Sequence, residues 1–267
     1  MITNEQRAFI NSAMPVLKKD ERIVGVAVGS SHSRDAMDEH SGMEFIIAVE
    51  PSEYAGILKD MIDIAESLGE LLACFTAEHI QRPDILICMY GNPLLHIDLT
   101  FKPLDKISDR PDEQLILFEK GTRMSDEYAK KPPAISAPDL QWFEDRFWIW
   151  VHYIAKKIGR GELFDAIEGL SFLRKNVLGP LMLLKNGKQP WGLRNVEVAA
   201  PQELPRLIMT LTDYNAENCI KALKSAVDLY IYLRGYNKAK LVDREKAQRA
   251  ALKYLSMISE DMQKAKG

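Results

Sequence analysis

The chain has 267 residues, 35 Lys and Arg against 38 Asp and Glu, a formal net charge of -3, and 46% hydrophobic residues. That balance offers no general attraction to a phosphate backbone, so nucleic acid is not the expected partner. Three cysteines, Cys74, Cys88 and Cys219, lie far apart and outside any Cys-x-x-Cys spacing, which argues against a disulfide framework or a zinc site and fits a reducing cytoplasm.

The length allows one large domain or two modest ones. No apolar run approaches the roughly 20 residues that span a bilayer, and the first residues lack the basic start and apolar block of a signal peptide. The expectation is a cytoplasmic protein with no membrane partner.

Taken in chain order, Asn4 reads as an N-cap, and Phe9, Ile10, Ala13, Val16 and Leu17 recur at helical spacing, predicting a helix over 5–19. "IVGVAVGSS" predicts a buried strand ending in a tight turn, and "MEFIIAVE" a second strand. Pro51 and Ser52 open a predicted helix through Leu68 that Gly69 closes. After the short apolar piece "LLACF", the strands "DILICMY" and "LLHIDLTF" flank Gly91-Asn92-Pro93 as a hairpin. These elements imply a mixed β-sheet with flanking helices over 1–108.

A polar, proline-bearing stretch, 109–138, then reads as a linker. From 139 to 267 the sequence carries four long segments with apolar residues at i, i+3, i+4 and i+7, which predict an all-α helical bundle. The fold class expected is therefore α+β, a sheet domain followed by a bundle.

Strand parity locates candidate chemistry. Alternate residues share a face, so Gly42, Glu44 and Ile46 point one way, and His96, Asp98 and Thr100 share a face of the second hairpin strand. Charged residues in central strands are costly unless paired or bound to a metal, so Glu44 and Asp98 near a Gly29-Ser30 turn suggest a divalent cation and phosphate oxygens. The plainer alternative is an exposed strand end, an open hairpin face and a simple turn.

"GSSHSRDAMDEHSGMEF" resembles the signature of the nucleotidyltransferase superfamily typified by DNA polymerase β, and "LHIDLTF" falls where that family places its third acid. Within the superfamily, "DERIVGVAVGS" with "DEHSGMEF" is similar to lincosamide nucleotidyltransferases. "FWIWVHYIAKKIGRGEL" resembles the start of the helical domain of aminoglycoside 6-adenylyltransferases.

The resemblance implies transfer of a nucleoside monophosphate from a nucleoside triphosphate to a hydroxyl of a small molecule, an aminoglycoside or lincosamide among the candidates, with Mg²⁺ as cofactor. It places Gly29 and Ser30 at the phosphates, Glu44 as the second metal-binding acid, and Asp98 as a third acid that ligates metal or accepts the hydroxyl proton. Gly42 departs from it by occupying the slot of the first acid. That departure carries the rival reading, a lapsed enzyme that binds a nucleotide or small ligand or pairs through its bundle, a homodimer being one such arrangement.

Loop acids Asp35 and Asp38 are candidate substitutes for the missing carboxylate, though a polar loop also explains them. Arg34, ahead of His32, is the candidate loop cation for the triphosphate, and His40 reads as an ordinary loop histidine. On the first bundle helix, Trp148, His152, Lys156 and Arg160 are spaced by four, so His152 and Lys156 become candidate nucleotide contacts in a cleft between the domains, with a solvated edge as the alternative. The stripe Trp142, Phe147, Trp150 and Ile154 reads as core.

Overall fold

The computed structural model describes residues 3–29, 40–134, 138–236 and 241–264. The chain divides into two compact units, Met1–Ala134 and Ile135–Gly267. No helix among the described residues is long and apolar enough to cross a membrane.

The first unit is an α+β arrangement around one six-stranded mixed sheet. Its strands are β1 (Ile23–Val28), β2 (Met43–Val49), β3 (Leu71–Ala77), β4 (Arg82–Tyr90), β5 (Leu95–Pro103) and β6 (Leu115–Glu119), in the order β3-β4-β5-β2-β1-β6. The pairs are antiparallel apart from β2 with β5, which run parallel.

One face of the sheet is covered by α1 (Asn4–Leu17) and α3 (Met61–Ser67), whose Phe9, Ala13, Leu17, Met61 and Ala65 pack on Val26, Phe45, Ile47, Leu99 and Phe101. Burying each Phe, Leu, Ile, Val or Met side chain here contributes roughly 1.5–3 kcal/mol. The opposite face is covered only in part. There, Met124 and Tyr128 of α4 (Arg123–Lys130), with Leu104 and Ile107, pack on Val24, Ala27, Ile46 and Ala48.

Several expectations are corrected in detail. Helix α1 is capped by Thr3 rather than Asn4, because Thr3 and Gln6 form a reciprocal capping box. The single helix expected from Pro51 to Leu68 is broken into a 3-10 turn at Pro51–Glu53, α2 (Tyr54–Ile57) and α3. "LLACF" is a full strand, β3. The stretch 109–138, read as a linker, contains β6, which pairs with β1, and α4, both within the first unit.

The second unit is helical. Its elements are α5 (Leu140–Gly159), α6 (Leu163–Leu173), α7 (Gly179–Lys185), α8 (Val196–Ala199), α9 (Leu204–Ile208), α10 (Ala216–Gly235) and α11 (Glu245–Lys264). The segment read as one helix over α6 and α7 carries a π-helical turn at Arg174–Leu178, where Gly179 N–H reaches back to the Arg174 carbonyl. Pro180 lacks an N–H and its ring crowds the carbonyl four residues earlier, and widening the turn relieves both problems.

The bundle core includes Phe147, Val151, Ile154, Leu170, Leu223 and Tyr230. Of the aromatic stripe read as core, Phe147 and Ile154 are buried, Trp150 is half-buried, and Trp142 is exposed on one side.

Candidate functional site

The parallel register places the two candidate carboxylates side by side. Glu44 on β2 pairs with Asp98 on β5, Ile46 with Thr100, and Ala48 with Lys102. Adjacent strands lie about 4.8 Å apart, and paired residues in a parallel ladder point to the same face, so both acids stand on the incompletely covered side. The reverse-side neighbours, Phe45, Ile97 and Leu99, are fully buried.

Glu44 is exposed to solvent, and the Asp98 side chain is 36% accessible. On this point the plain reading of an open hairpin face is right about exposure. The shared face and the fixed orientation of both carboxylates go beyond it.

Each carboxylate is held by a neighbour on β5. Thr100, itself buried, donates from Oγ1 to Glu44 Oε1 at 3.1 Å. His96 Nε2 lies 2.9 Å from Asp98 Oδ1. Gly29 follows β1, donates its N–H to the Glu44 carbonyl at 2.9 Å, and lies beneath the Glu44 side chain. A Cβ at position 29 would stand 2.9 Å from Glu44 Oε2, so glycine is what leaves that carboxylate its place.

Two cations share the field of Glu44. Arg82 is clamped to Asp84, with Nε to Oδ1 at 2.9 Å and Nη2 to Oδ2 at 2.7 Å; that hydrogen bonding, aided by the charges of Asp84 and Glu44, raises its pKa. Lys102 donates to the Asp109 carbonyl at 3.2 Å. Burial, with the neighbouring Arg82 charge, pulls its pKa below the usual lysine range, against the opposing pull of Glu44 and Asp84.

Gly42 is one row further along the sheet. A Cβ built there would meet the His96 carbonyl at 3.3 Å and the His96 ring at 3.6 Å. The imidazole thus lies beside the position where the family pattern has its first acid.

Among the described residues no group of three or more His, Cys, Asp and Glu side chains stands in a metal-binding arrangement. Among the described residues, Glu44 and Asp98 are the paired carboxylate donors at this face. Two carboxylate oxygen donors suit Mg²⁺, which keeps waters and is commonly completed by substrate phosphates.

The other candidates distribute differently. Ser30 and Arg34, with His32, Asp35 and Asp38, lie outside the described residues. His40 is described and lines a recess at the start of β2. His152 and Lys156 belong to α5 in the second unit. There the His152 ring packs 4.6 Å from that of Tyr254, and Lys156 Nζ lies 5.8 Å from the Tyr153 ring centroid. Trp148 does not join them on an open face; it is buried and donates from Nε1 to Glu144. Arg160 is exposed and bonds to Glu162.

Thr100, His96 and Lys102 received no role from sequence. The signal was present in "HIDLTFK", where they share parity with Asp98, and only their partners on β2 were missing.

No protein-family model matches the chain, and no curated protein matches it. Among solved structures, it is similar to an aminoglycoside 6-adenyltransferase from Bacillus subtilis, with 17% identity over 97% of this chain and 99% of that one and a TM-score of 0.40. It is also similar to a nucleotidyltransferase-like protein from Exiguobacterium sibiricum 255-15, with 11% identity over 84% of this chain and 74% of that one and a TM-score of 0.34.

Proposed function

We propose that the open face of the sheet binds a nucleoside triphosphate and transfers its nucleoside monophosphate to a hydroxyl of a small molecule. The observation that carries this reading is the pairing of Glu44 with Asp98 on one face, with Gly29 beneath the Glu44 carboxylate. It joins the sequence resemblance, which assigns these same three positions to phosphates and metal.

Glu44 and Asp98 would hold Mg²⁺, which when bound supplies charge neutralisation on the triphosphate. Thr100 fixes Glu44, leaving Oε2 directed toward Gly29. His96 fixes Asp98, which accepts the acceptor hydroxyl proton as that oxygen attacks the α-phosphorus. The new P–O bond forms as the bond to the β-phosphate bridging oxygen breaks, and pyrophosphate leaves with that electron pair. Ser30 and Arg34, which follow Gly29 in the sequence, complete the phosphate contacts in this proposal.

Titration calorimetry with each nucleoside triphosphate, with and without Mg²⁺, tests binding, and pyrophosphate release over a panel of hydroxyl acceptors tests transfer. Metal-dependent binding and turnover, both lost in Glu44→Gln and Asp98→Asn, are expected. Binding that ignores both substitutions would refute the site.

A second reading, nucleotide binding without turnover, is favoured by one observation: position 42 offers no carboxylate and has the His96 ring beside it. Metal-dependent binding with no pyrophosphate release from any acceptor supports it. Gly42→Asp is then the informative variant, and a gain of turnover would identify a lapsed transferase.

A further inference from the structure

The two rows of side chains that carry the candidate chemistry continue across the sheet onto an exposed apolar surface. Asp98 pairs with Ile87 on β4, and Ile87 with Phe75 on β3; one row over, His96 pairs with Met89, and Met89 with Ala73. Phe75 is 54% and Met89 42% exposed, whereas the alternate residues Leu86, Cys88 and Tyr90 are buried on the reverse side. This surface floors a recess of about 740 Å³ whose lining also includes Gly42, Leu94 and His96. A volume of this order suits a drug-sized molecule.

Its charge is as informative as its shape. Among the described residues lining it, Glu5 is the one carboxylate, and there is no lysine or arginine. A polycationic sugar would find little to pair with, and a phosphate chain still less. Gly42 also lines the recess, and a Cβ there would meet the His96 carbonyl at 3.3 Å and the His96 ring at 3.6 Å.

We propose that the floor formed by Phe75, Ile87 and Met89 seats the neutral, ring-bearing body of the hydroxyl acceptor and delivers its hydroxyl to Asp98. This rests on the transfer reading above and narrows its acceptor to an uncharged amphipathic molecule. The reach is consistent. Phe75 and Asp98 are two strands apart, roughly 10 Å at about 4.8 Å per strand, the length of a two-ring aglycone with one sugar.

The test uses 2-naphthyl β-D-glucopyranoside as a fluorescent probe on the full chain, with ATP and Mg²⁺ binding measured in parallel. Saturable probe binding is expected, weakened roughly tenfold or more by Phe75→Ser and by Met89→Ser, with ATP affinity unchanged in both. Because both side chains are exposed, neither replacement threatens the fold, and an unshifted melting temperature confirms that. Competition by the polyamino sugar neamine should be absent. Failure of the probe to bind, equal binding to both variants, or displacement by neamine at equal concentration would overturn the proposal while leaving ATP binding to stand. Probe binding sensitive to Phe75→Ser without any ATP binding would instead refute the transfer reading, and with it the role of acceptor.

Discussion

Replacement of Glu144 offers a quantitative check on the bundle that carries His152 and Lys156. Glu144 is fully buried on α5 and accepts four hydrogen bonds: Trp148 Nε1, Arg234 Nη1 and Arg244 N–H reach Oε1 at 3.1, 3.0 and 2.9 Å, and Tyr230 Oη reaches Oε2 at 2.8 Å. Burial alone would raise its pKa. The bonds from Arg244, Trp148 and Tyr230, with the Arg234 charge, outweigh burial and bring it below the usual glutamate range.

In Glu144→Gln the amide oxygen can keep the place of Oε1, but the amide nitrogen faces Tyr230, and the charge opposite Arg234 is gone. Hydrogen bonds to a charged group are worth about 1.5–3 kcal/mol against about 0.5–1.5 kcal/mol for neutral ones, and breaking a buried pair costs about 3–5 kcal/mol. A loss of about 2–3 kcal/mol is expected for Gln and about 4–5 kcal/mol for Ala. The melting temperature, followed by circular dichroism at pH 7, should fall by roughly 5–10 °C in the Gln variant.

The pH dependence has a fixed sign. Because the folded pKa lies below the unfolded one, the stabilisation is present above about pH 4.3 and is lost as pH falls through the folded value, so the gap between parent and Gln variant should close in acid. A Gln variant within about 0.5 kcal/mol of the parent at pH 7 would show that desolvation of the carboxylate cancels its partners, and would refute the reasoning.

Other outcomes follow from the sheet. Gly29→Ala should keep the parental melting temperature, because the obstructed atom is the far end of a solvent-exposed side chain, yet weaken Mg-ATP binding roughly tenfold or more by displacing that carboxylate; unchanged affinity would contradict the placement of Glu44. Thr100→Val removes the bond that orients Glu44, and a roughly tenfold fall in metal-dependent affinity, read by calorimetry, is the expected scale for such a supporting group. Burial pushes the Cys88 thiol up to about 12 and also raises Cys74, while Cys219 is fully buried. Ellman's reagent at pH 7 should therefore react slowly with the native chain and quickly with all three thiols after denaturation, and rapid native labelling would disprove the burial.

Period-two alternation in "GMEFIIAV" and "LHIDLTF" was enough to assign Glu44 and Asp98 to faces, and Gly91-Asn92-Pro93 marked the β4–β5 hairpin. What alternation does not carry is which strands become neighbours. The meeting of the two acids depends on β2 lying against β5, a pairing of residues 54 positions apart that local pattern cannot express. β6 was missed for a related reason: its five residues are short, only partly buried and at the sheet edge, and they follow a proline-bearing stretch that reads as loop. The helical segments were clearer because each repeats its apolar spacing over several turns. Their interruptions, such as the π turn before Pro180, come from single residues acting on the backbone.

The parallel seam between β2 and β5 has a consequence for variation at a distance. Sliding one strand by a single residue would swing Asp98 to the underside and bring Leu99 or Ile97 into the light, so the grip of Phe45, Ile47, Leu99 and Phe101 on the helices behind works as a caliper for the carboxylates in front. Substitutions in that hidden layer reach the chemistry through registration rather than through touch.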